Sequence, residues 1–263
     1  MVVELFLRNN SLGCIKSFIF DKDGTISNSE NFLLELAEAR IQFAANKFAD
    51  LKINKLKILL LKKLLNSLYG LKNNCLSANA IMSICSREQN IFSTATIFTL
   101  FGLNWFKAFS ISQEIFDEVD IFLSINKENN KRSNNLISGA LELLLSLKEK
   151  EIKIALMTND SHAGIKDFIF RNQLEDLFDY LWSAENKPSK PNPMAVIELC
   201  KRMEIKPSEC ALISDADTDL RMAKEADIAI VIGFTGGWIN PPTLTEKQLH
   251  IEKLNELKFY PKP

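Results

Sequence analysis

Three short apolar runs in this chain each end abruptly in small polar or acidic residues. The runs occupy residues 18–20, 152–157 and 211–213. A helical pattern of apolar positions follows each polar cluster, so the pattern predicts three strand-to-helix turns that carry hydroxyls and carboxylates. In a parallel α/β sheet such turns gather outside the carboxyl ends of the strands, where ligands bind. The chain is therefore predicted to hold a parallel sheet with a polar site at one edge.

The spacing of these turns predicts a second module within the chain. Thr25 and Thr158 are 133 residues apart, which is far more than a strand-helix-strand crossover needs. The intervening sequence has helical periodicity. Its two predicted apolar faces consist of Leu33, Ala37, Ile41, Ala44 and Phe48, and of Leu56, Leu60, Leu61, Leu64 and Leu68. Residues 29–133 are therefore predicted to form an all-helical insertion that closes with the polar linker 126–133.

Residues 1–28 and 134–263 are predicted to form the discontinuous remainder of the chain. This part is expected to end in a tail that contains Pro241, Pro242, Pro261 and Pro263.

A stretch of the insertion that is rich in lysine and leucine has two interpretations. Its lysines are Lys52, Lys55, Lys57, Lys62 and Lys63. They fit a basic amphipathic helix for a membrane surface or an acidic partner. A helix with a solvated lysine face is the preferred alternative, because solvent-facing helical positions favour lysine.

An aromatic cluster in the insertion also has two interpretations. It consists of Phe92, Phe98, Phe101, Trp105, Phe106 and Phe109. These rings line either a substrate site or a packed core. Core packing is the preferred interpretation, because aromatic side chains dominate the energetics of protein cores.

Composition and charge narrow the classes of function. The 46% apolar content suffices for a sizeable core, and 32 basic residues balance 33 acidic residues. A nucleic-acid binder usually carries a basic excess, so nucleic acid is not an expected partner. No segment reaches the roughly 18 apolar residues of a membrane span, and no secretion signal is visible. A cytoplasmic protein without a membrane partner, either a monomer or a homodimer, is expected.

The cysteines are expected to be reduced thiols. They are Cys14, Cys75, Cys85, Cys200 and Cys210, and no two of them form a Cys-x-x-Cys pair. Their odd number and wide spacing disfavour disulfides and zinc ligands, which agrees with a cytosolic protein.

Two aspartates that are two residues apart follow the first apolar run. In an extended segment the side chains of Asp21 and Asp23 point to one side and that of Lys22 to the other. This spacing offers one carboxylate as a nucleophile or metal ligand and a second that moves protons. A calcium-binding EF-hand is excluded, because the positions that need Gly and Glu hold Ile26 and Phe32. A polar turn after a strand is the alternative for this segment alone.

A fourth element places a cation just before a predicted helix. In Lys190-Pro191-Asn192-Pro193, Asn192 is able to cap the helix and Pro193 fits its first position. Taken alone, such a lysine is usually a solvated surface residue, so this element is informative only together with the other three.

With these four elements in order, the chain resembles the haloacid dehalogenase-like hydrolase superfamily, specifically its phosphatase branch. The matching residues are Asp21, Asp23, Gly24 and Thr25, then Thr158 with Asn159, then Lys190, then Asp215 with Asp219. The resemblance covers residues 14–26 and about 136–237. The chain departs from the commonest pattern at Lys22, Asn28 and Ser214, where an apolar residue, Asp and Gly are frequent. None of these departures removes a catalytic group.

The resemblance implies a fold of the α/β class. Its core is expected to be a Rossmann-like parallel sheet with helices on both faces. The helical insertion is expected to be a cap domain that follows the first motif and covers the active site.

The resemblance also implies a magnesium-dependent reaction with a covalent intermediate. Asp21 would attack the phosphorus of a phosphate monoester and form an aspartyl phosphate. Mg²⁺ would be bound by Asp21, the backbone carbonyl of Asp23 and Asp215, with Asp219 as a further ligand or an orienting residue. Asp23 would keep its carboxyl off the ion, donate a proton to the leaving oxygen and then take one from water.

Substrate-binding residues follow from the same resemblance. Thr158 and Asn159 would donate hydrogen bonds to the phosphoryl oxygens, Lys190 would add positive charge, and Gly24 and Thr25 would complete the site. A helix N-cap is the alternative role of Thr158. The expected substrate is a small phosphorylated metabolite of the phosphoglycolate or sugar phosphate type.

Two other functions stay open on this resemblance. A sugar phosphomutase of the same superfamily would return the phosphoryl group to a sugar instead of to water. A catalytically idle binding protein would use the same fold without turnover. Dehalogenases and phosphonate hydrolases are disfavoured, because resembling members of those branches lack a second aspartate at the position of Asp23.

Overall fold

The computed structural model describes residues 2–125, 136–245 and 249–261. The predicted linker 126–133 lies outside the described residues. The strands are β1 (Val3–Leu7), β2 (Asn10–Ile15), β3 (Ser17–Phe20), β4 (Leu71–Lys72), β5 (Cys75–Leu76), β6 (Lys153–Met157), β7 (Tyr180–Trp182), β8 (Cys210–Ser214), β9 (Ile230–Phe234), β10 (Leu249–Ile251) and β11 (Leu257–Pro261). The helices are α1 (Glu30–Asp50), α2 (Lys55–Tyr69), α3 (Ile81–Ile84), α4 (Arg87–Thr99), α5 (Trp105–Ile125), α6 (Ala140–Glu149), α7 (His162–Arg171), α8 (Pro193–Arg202) and α9 (Asp217–Glu225).

The chain forms two compact units. Unit 1 comprises Met1–Ser29 and Asn134–Pro263, and unit 2 comprises Glu30–Ser133. Strands β4 and β5 and helices α1 to α5 lie in unit 2, and the other elements lie in unit 1. One contiguous insertion therefore interrupts unit 1 after β3.

A six-stranded parallel sheet forms the centre of unit 1. The strand order is β10-β9-β8-β3-β6-β7, and each neighbouring pair is parallel. All four residues of β3 are buried, as expected for a strand of a parallel sheet that is covered on both faces. The predicted α/β class and parallel sheet are confirmed.

Successive residues of the central strands pack on opposite faces of this sheet. Phe18 and Phe20 of β3 belong to one buried cluster, which includes residues of α6 and α7. Ile19 belongs to a second cluster, which includes residues of α8 and α9. The sheet therefore has helices on both faces, as predicted.

A three-stranded antiparallel sheet, β11-β1-β2, joins segments from near the two ends of the chain. Leu5 of β1 pairs with Phe259 of β11, and Arg8 and Asn9 form the turn between β1 and β2 with φ of 50° and 68°. The expectation of a C-terminal tail is therefore wrong. Residues 249–251 form the edge strand β10, which pairs with β9, and residues 257–261 form β11, which pairs with the sequence-distant β1.

In unit 2, side chains and glycine set the helix boundaries. Asn54 accepts a hydrogen bond from the backbone of Lys57 and so caps α2, which ends at Gly70 with φ of 78°. Ser86 and Gln89 form a reciprocal capping box at the start of α4. Unit 2 is helical as predicted, apart from the short hairpin β4-β5.

The buried face of α1 agrees with the sequence pattern. Leu33 is half-buried, and the remaining members of the predicted face are buried, namely Ala37, Ile41, Ala44 and Phe48. The pattern is clear here because the exposed positions of the helix are mostly polar, namely Asn31, Glu38, Gln42, Asn46 and Asp50.

The predicted face of α2 is wrong in part. Leu56 is 80% exposed and Leu60 is 49% exposed, whereas the buried residues of this helix are Leu61, Leu65 and Tyr69. The helix contains more leucines than one face can bury, so the periodicity alone does not select the buried stripe.

The aromatic cluster is only partly a core. Phe98 is fully buried and its ring lies 4.9 Å from that of Phe48, so core packing is correct there. Phe106 is 86% exposed, which contradicts core packing. It stands in the first turn of α5, where Trp105 rather than Phe106 stacks on Phe92, with ring centroids 6.0 Å apart.

Two further observations concern the lengths of the helices and the state of the cysteines. Among the described residues, no helix is long and apolar enough to cross a membrane. All five cysteines are free, and Cys200 and Cys210 are buried.

Candidate active site

The polar clusters predicted from the sequence meet at one edge of the parallel sheet. β3 pairs with β8 on one side and with β6 on the other, so the three strands end side by side. The backbone N–H of Asp21 donates to the carbonyl of Ile213 at 3.0 Å, which aligns the first motif with the end of β8. Thr158 follows β6 and Asp215 follows β8. The strand order therefore gathers these residues as the sequence pattern predicts.

Lys190 lies between two carboxylates, of which Asp219 is buried and Asp21 is 12% exposed. Its Nζ is 2.7 Å from Oδ1 of Asp21 and 2.6 Å from Oδ2 of Asp219. Ser214 also donates a hydrogen bond to Oδ2 of Asp219, at 2.9 Å. Burial opposes the charge of Lys190, but the two carboxylates hold its pKa above the ordinary value. The lysine is therefore a fixed cation beside Asp21.

The position of Lys190 follows from the local sequence. Asn192 accepts a hydrogen bond from the backbone of Met194 at 2.9 Å, and Pro193 occupies the first position of α8. This cap was predicted. The cap makes α8 begin directly after the lysine segment. It so fixes the backbone position of Lys190 relative to the helix.

Asp215 is fixed by two neighbouring side chains. The hydroxyl of Thr25 lies 3.3 Å from Oδ2 of Asp21 and 3.3 Å from Oδ1 of Asp215. Trp238 donates its indole N–H to Oδ2 of Asp215 at 2.5 Å. The single Thr25 hydroxyl therefore connects the two carboxylates from which a metal site is predicted.

Gly24 is required by this packing. Its φ is 74°, and a side chain there would meet the indole of Trp238 and the carboxylate of Asp215. Glycine is therefore the residue that allows the first motif to approach Asp215 closely.

Burial changes the protonation of the two carboxyls. It raises the pKa of Asp21 to about 6, with Lys190 opposing the shift and Asp219 and Asp23 adding to it. Burial and then the charge of Asp21 raise the pKa of Asp215 well above its ordinary value. Burial and the neighbouring carboxylates therefore disfavour the charged form of both groups, which a bound cation would favour.

These residues fit a hard divalent cation. Five carboxylates, those of Asp21, Asp23, Asp160, Asp215 and Asp219, are accompanied by two ammonium groups, those of Lys22 and Lys190. Such cations prefer oxygen ligands. Within the described residues, no group of three or more His, Cys, Asp or Glu side chains could hold a metal ion. A cation here would therefore need backbone oxygens or water besides the carboxylates of Asp21 and Asp215.

Asp23 is positioned by a neighbour that was expected to point away from it. The Nζ of Lys22 lies 2.9 Å from Oδ1 of Asp23 and 2.9 Å from Oδ2 of Asp160, and its side chain is 6% exposed. Ser29 donates a second hydrogen bond to Asp23. The long Lys22 side chain thus brings its charge to the side of Asp23, because the two carboxylates offset the cost of burying an ammonium.

Thr158 is not the N-cap of the following helix. Ser161 caps α7 and accepts from the backbone of Gly164 at 3.0 Å. The hydroxyl of Thr158 instead accepts from the backbone N–H of Asp160 at 3.1 Å, and Asn159 beside it is half-buried. Lys22 therefore joins the loop of Thr158 and Asn159 to the first motif through Asp160.

Contacts differ among the other predicted site residues. The carboxylate of Asp219 accepts from Lys190 and Ser214, so its contacts are those of an orienting residue. Thr25 is fully buried, and its hydroxyl contacts the two carboxylates. Substrate binding by Gly24 and Thr25 and metal binding by Asp219 stay predictions.

Sequence reasoning missed Trp238 and Asp160 and assigned no contact to Lys22. Lys22 and Ser214 were visible as departures from the common pattern, but a departure does not say what the side chain contacts. Trp238 follows β9 and reaches Asp215 from a loop with no polar motif of its own. No local signal in the sequence could have identified it.

The chain is similar to known proteins of one family. A family model described as haloacid dehalogenase-like hydrolase matches residues 15–227. The phosphoglycolate phosphatase of Vibrio vulnificus (strain YJ016) is 26% identical over 145 residues, which are 53% of this chain and 63% of that protein. The chain thus spans less than two thirds of the length of this curated relative.

Solved structures share the fold. A protein described as a predicted phosphoglycolate phosphatase from Haemophilus somnus 129pt superposes with a TM-score of 0.60 and 19% identity, covering 90% of this chain and 93% of that one. A β-phosphoglucomutase from Clostridium difficile superposes with a TM-score of 0.59 and 20% identity, covering 92% of each chain. At these identities the likeness extends to the fold alone.

Lys190→Met should destabilise the protein strongly in the absence of metal. The substitution leaves Asp21 and Asp219 buried without their shared cation, and such a loss costs about 3–5 kcal/mol. Urea unfolding in EDTA measures this loss in the free energy of unfolding. Lys187→Met is the control, because Lys187 is exposed and its substitution should cost no more than about 0.5 kcal/mol. A loss below about 1 kcal/mol for Lys190→Met would show that the ion pair does not hold the site together.

Proposed function

We propose, because the chain belongs to the haloacid dehalogenase-like hydrolase family, that it hydrolyses phosphate monoesters. The observation that supports this most directly is the pair Asp21 and Lys190, buried together with a nitrogen-to-oxygen distance of 2.7 Å. A carboxylate that faces a fixed cation suits attack on an anionic phosphoryl group, because the cation offsets the repulsion between the two anions.

In the first step, one oxygen of Asp21 attacks the phosphorus while the bond from phosphorus to the leaving oxygen breaks. The product is an aspartyl phosphate, which splits one difficult hydrolysis into two easier transfers. Lys190 lies at the carboxylate of Asp21 and stabilises charge on the transferred phosphoryl group. Asp219 and Ser214 hold Lys190 in this position.

Asp23 moves the protons of both steps. Its carboxyl protonates the leaving oxygen of the substrate and then accepts a proton from the water that attacks the aspartyl phosphate. That attack releases inorganic phosphate and restores the carboxylate of Asp21. Lys22 and Ser29 hold Asp23 in one orientation through both steps.

Thr158 and Asn159 orient the phosphoryl group. They stand on the loop after β6, next to the first motif in the sheet order, and both offer hydrogen-bond donors. Preorganised donors of this kind stabilise the charge that spreads over the phosphoryl oxygens in the transition state.

Mg²⁺ is the proposed cofactor. Asp21, Asp215 and the backbone carbonyl of Asp23 would hold it, and when bound it would supply positive charge beside the phosphoryl group. The excess of buried carboxylates over ammonium groups supports this assignment. Trp238 and Thr25 fix the orientation of Asp215 for that role.

The proposed substrate is a small phosphorylated metabolite of the phosphoglycolate or sugar phosphate type. The curated relatives named phosphoglycolate phosphatase support this choice. Unit 2 is proposed to act as a cap that selects among such substrates. The five free cysteines support a reducing compartment such as the cytoplasm.

Asp21→Asn should be inactive although it is nearly isosteric. Loss of the nucleophile should lower turnover by several orders of magnitude, and EDTA should abolish wild-type activity until Mg²⁺ is restored. Release of inorganic phosphate from a panel of small phosphate esters measures both effects. Asp176→Asn is the control, because Asp176 is an exposed acid of the same unit.

Two results would contradict the proposed function. Turnover of Asp21→Asn above about a tenth of the wild-type value would exclude Asp21 as the nucleophile. Transfer of the phosphoryl group from a hexose 1-phosphate to the sugar, stimulated by a sugar bisphosphate and without release of phosphate, would identify a phosphomutase instead.

The effect of Asp23→Asn should depend on the leaving group. A nitrophenolate departs without protonation, so an aryl phosphate should still phosphorylate Asp21 and give a burst before the reaction stalls. An alkyl phosphate needs the acid, so both steps should slow by roughly 10² to 10⁴. Rapid-quench kinetics on the two esters measure the burst and the steady-state rate. Equal losses of rate on the two esters, without a burst, would show that Asp23 serves only as a metal ligand or as a residue of the turn.

Lys22→Met should reproduce this leaving-group dependence in weaker form. Without its ammonium, Asp23 keeps Ser29 as a partner but loses its ion pair, and misplacement of the acid should cost about 10- to 100-fold with the alkyl ester. The burst with the aryl ester should persist. Lys166→Met, an exposed lysine of α7, is the control. An equal loss on both esters would mean that Lys22 only supports folding.

A further inference from the structure

Positive charge is concentrated in one segment of unit 2. Residues 51–113 contain eight basic residues but one acidic residue, Glu88, whereas the whole chain has 32 basic and 33 acidic residues. The basic residues of the segment are Lys52, Lys55, Lys57, Lys62, Lys63, Lys72, Arg87 and Lys107. A surface with this imbalance attracts anionic partners.

Two helix-to-helix loops bring part of this charge to one end of unit 2. The ring of Phe48 in the last turn of α1 lies 4.9 Å from that of Phe98 and 5.7 Å from that of Phe101, at the end of α4. The loops α1–α2 and α4–α5 therefore lie at the same end. Glu88 lies at the opposite end of α4, so it does not balance the charge there. Asp50, the exposed last residue of α1, adjoins the α1–α2 loop and offsets one of the four lysine charges at this end.

Exposed apolar side chains stand among the lysines at this end. Leu56 is 80% exposed, Leu59 66%, Leu100 69% and Phe106 86%. Lys52, Lys55, Lys57 and Lys107 next to them in sequence are also exposed. We call these eight residues the basic apolar end. A solvated lysine face would hold no such leucines, so the structure favours the interpretation that the sequence pattern left as the alternative.

The basic apolar end is remote from the points where the chain enters and leaves unit 2. The chain enters at the start of α1, and the 21 residues of this helix span about 30 Å before the α1–α2 loop. The α5 helix begins at this same end and runs away from it for 21 residues. Among the described residues of unit 2, the leucines Leu56 and Leu59 stay exposed, since the buried side of α2 is formed by Leu61, Leu65 and Tyr69.

We propose that the basic apolar end binds an anionic lipid surface. Leucine and phenylalanine side chains enter the boundary between headgroups and acyl chains, while lysines contact the anionic headgroups. This pairing of apolar and positive side chains distinguishes lipid from other anionic partners. The protein would then act on its substrate at a membrane surface, where no helix of the described residues is long and apolar enough to cross the bilayer.

Two other occupants fit the surface less well. A second copy of this chain would bring like charges together, which repels. Single-stranded nucleic acid needs a series of aromatic rings on which successive bases stack. The basic apolar end offers one exposed ring, that of Phe106, beside three exposed leucines on which bases do not stack. The ring of Trp105 is engaged within the unit, since its centroid lies 6.0 Å from that of Phe92 and 5.9 Å from that of Phe109 in stacked geometry.

Vesicle flotation of the full chain tests the proposal. The protein should bind vesicles of phosphatidylcholine with about a third phosphatidylglycerol, should not bind phosphatidylcholine alone, and should be released as salt rises. Leu56→Ser with Leu59→Ser should weaken binding by about tenfold or more, because the lost apolar side chains no longer enter the bilayer. Lys55→Gln with Lys57→Gln should weaken both the binding and its dependence on salt.

The matched control is Ile121→Ser with Ile125→Ser. These side chains are 60% and 71% exposed, lie in the last turns of α5 and follow Asp117, Glu118 and Asp120. Binding of this variant should stay within about twofold of the wild type. Circular dichroism checks that each variant is folded, which is expected because all substituted side chains are exposed.

Several results would overturn the proposal. They are failure of the folded wild type to bind the anionic vesicles, equal binding to neutral vesicles, and unchanged binding of the leucine variant. A wild-type dimer that the leucine substitutions convert to a monomer, without any vesicle binding, would identify a self-interface. Binding to a single-stranded oligonucleotide but not to vesicles would identify a nucleic-acid surface. Phosphatase activity in solution does not enter this test.

Discussion

The ammonium group of Lys190 lies between two carboxylates in a site that is almost closed to solvent. Removing water from three charges is costly, so this arrangement persists only if the charges are held in contact. Asp21 comes from the end of β3, Asp219 from α9 and Lys190 from the segment before α8. The ion pair therefore requires that the sheet and two helices be correctly assembled.

A second set of contacts depends on this arrangement. Asp21 shares the hydroxyl of Thr25 with Asp215, and Asp215 accepts the indole N–H of Trp238. Each carboxylate therefore has at least one fixed donor, yet burial still raises the pKa of Asp21 and Asp215. The remaining negative charge supports a divalent cation and a phosphoryl group as the species that complete the site. The contacts that assemble the site and the proposed binding of a cation and a phosphoryl group thus depend on the same carboxylates.

Local sequence signals predicted the parts of the molecule that depend on neighbours in the chain. The carboxylates at the strand ends and the cap at Asn192 are signals of this kind. Contacts between distant segments were not predictable, as the pairing of β1 with β11 and the indole of Trp238 on Asp215 demonstrate. The predicted buried face of the leucine-rich α2 was wrong for another reason. This helix carries more apolar residues than its buried face can hold. Two of the excess leucines, Leu56 and Leu59, belong to the basic apolar end.

The central claim is that the carboxylate of Asp21 becomes phosphorylated during turnover. The most direct measurement is acid quenching of the wild type during steady-state hydrolysis of a phosphate ester radiolabelled at phosphorus, followed by peptide mapping. We expect acid-stable, alkali-labile phosphorus label on the peptide that contains Asp21. Reduction of that acyl phosphate with tritiated borohydride should release the labelled phosphate and leave tritium at residue 21, as homoserine. Rapid turnover without covalent label under conditions that preserve acyl phosphates, or label on a different residue, would contradict the account.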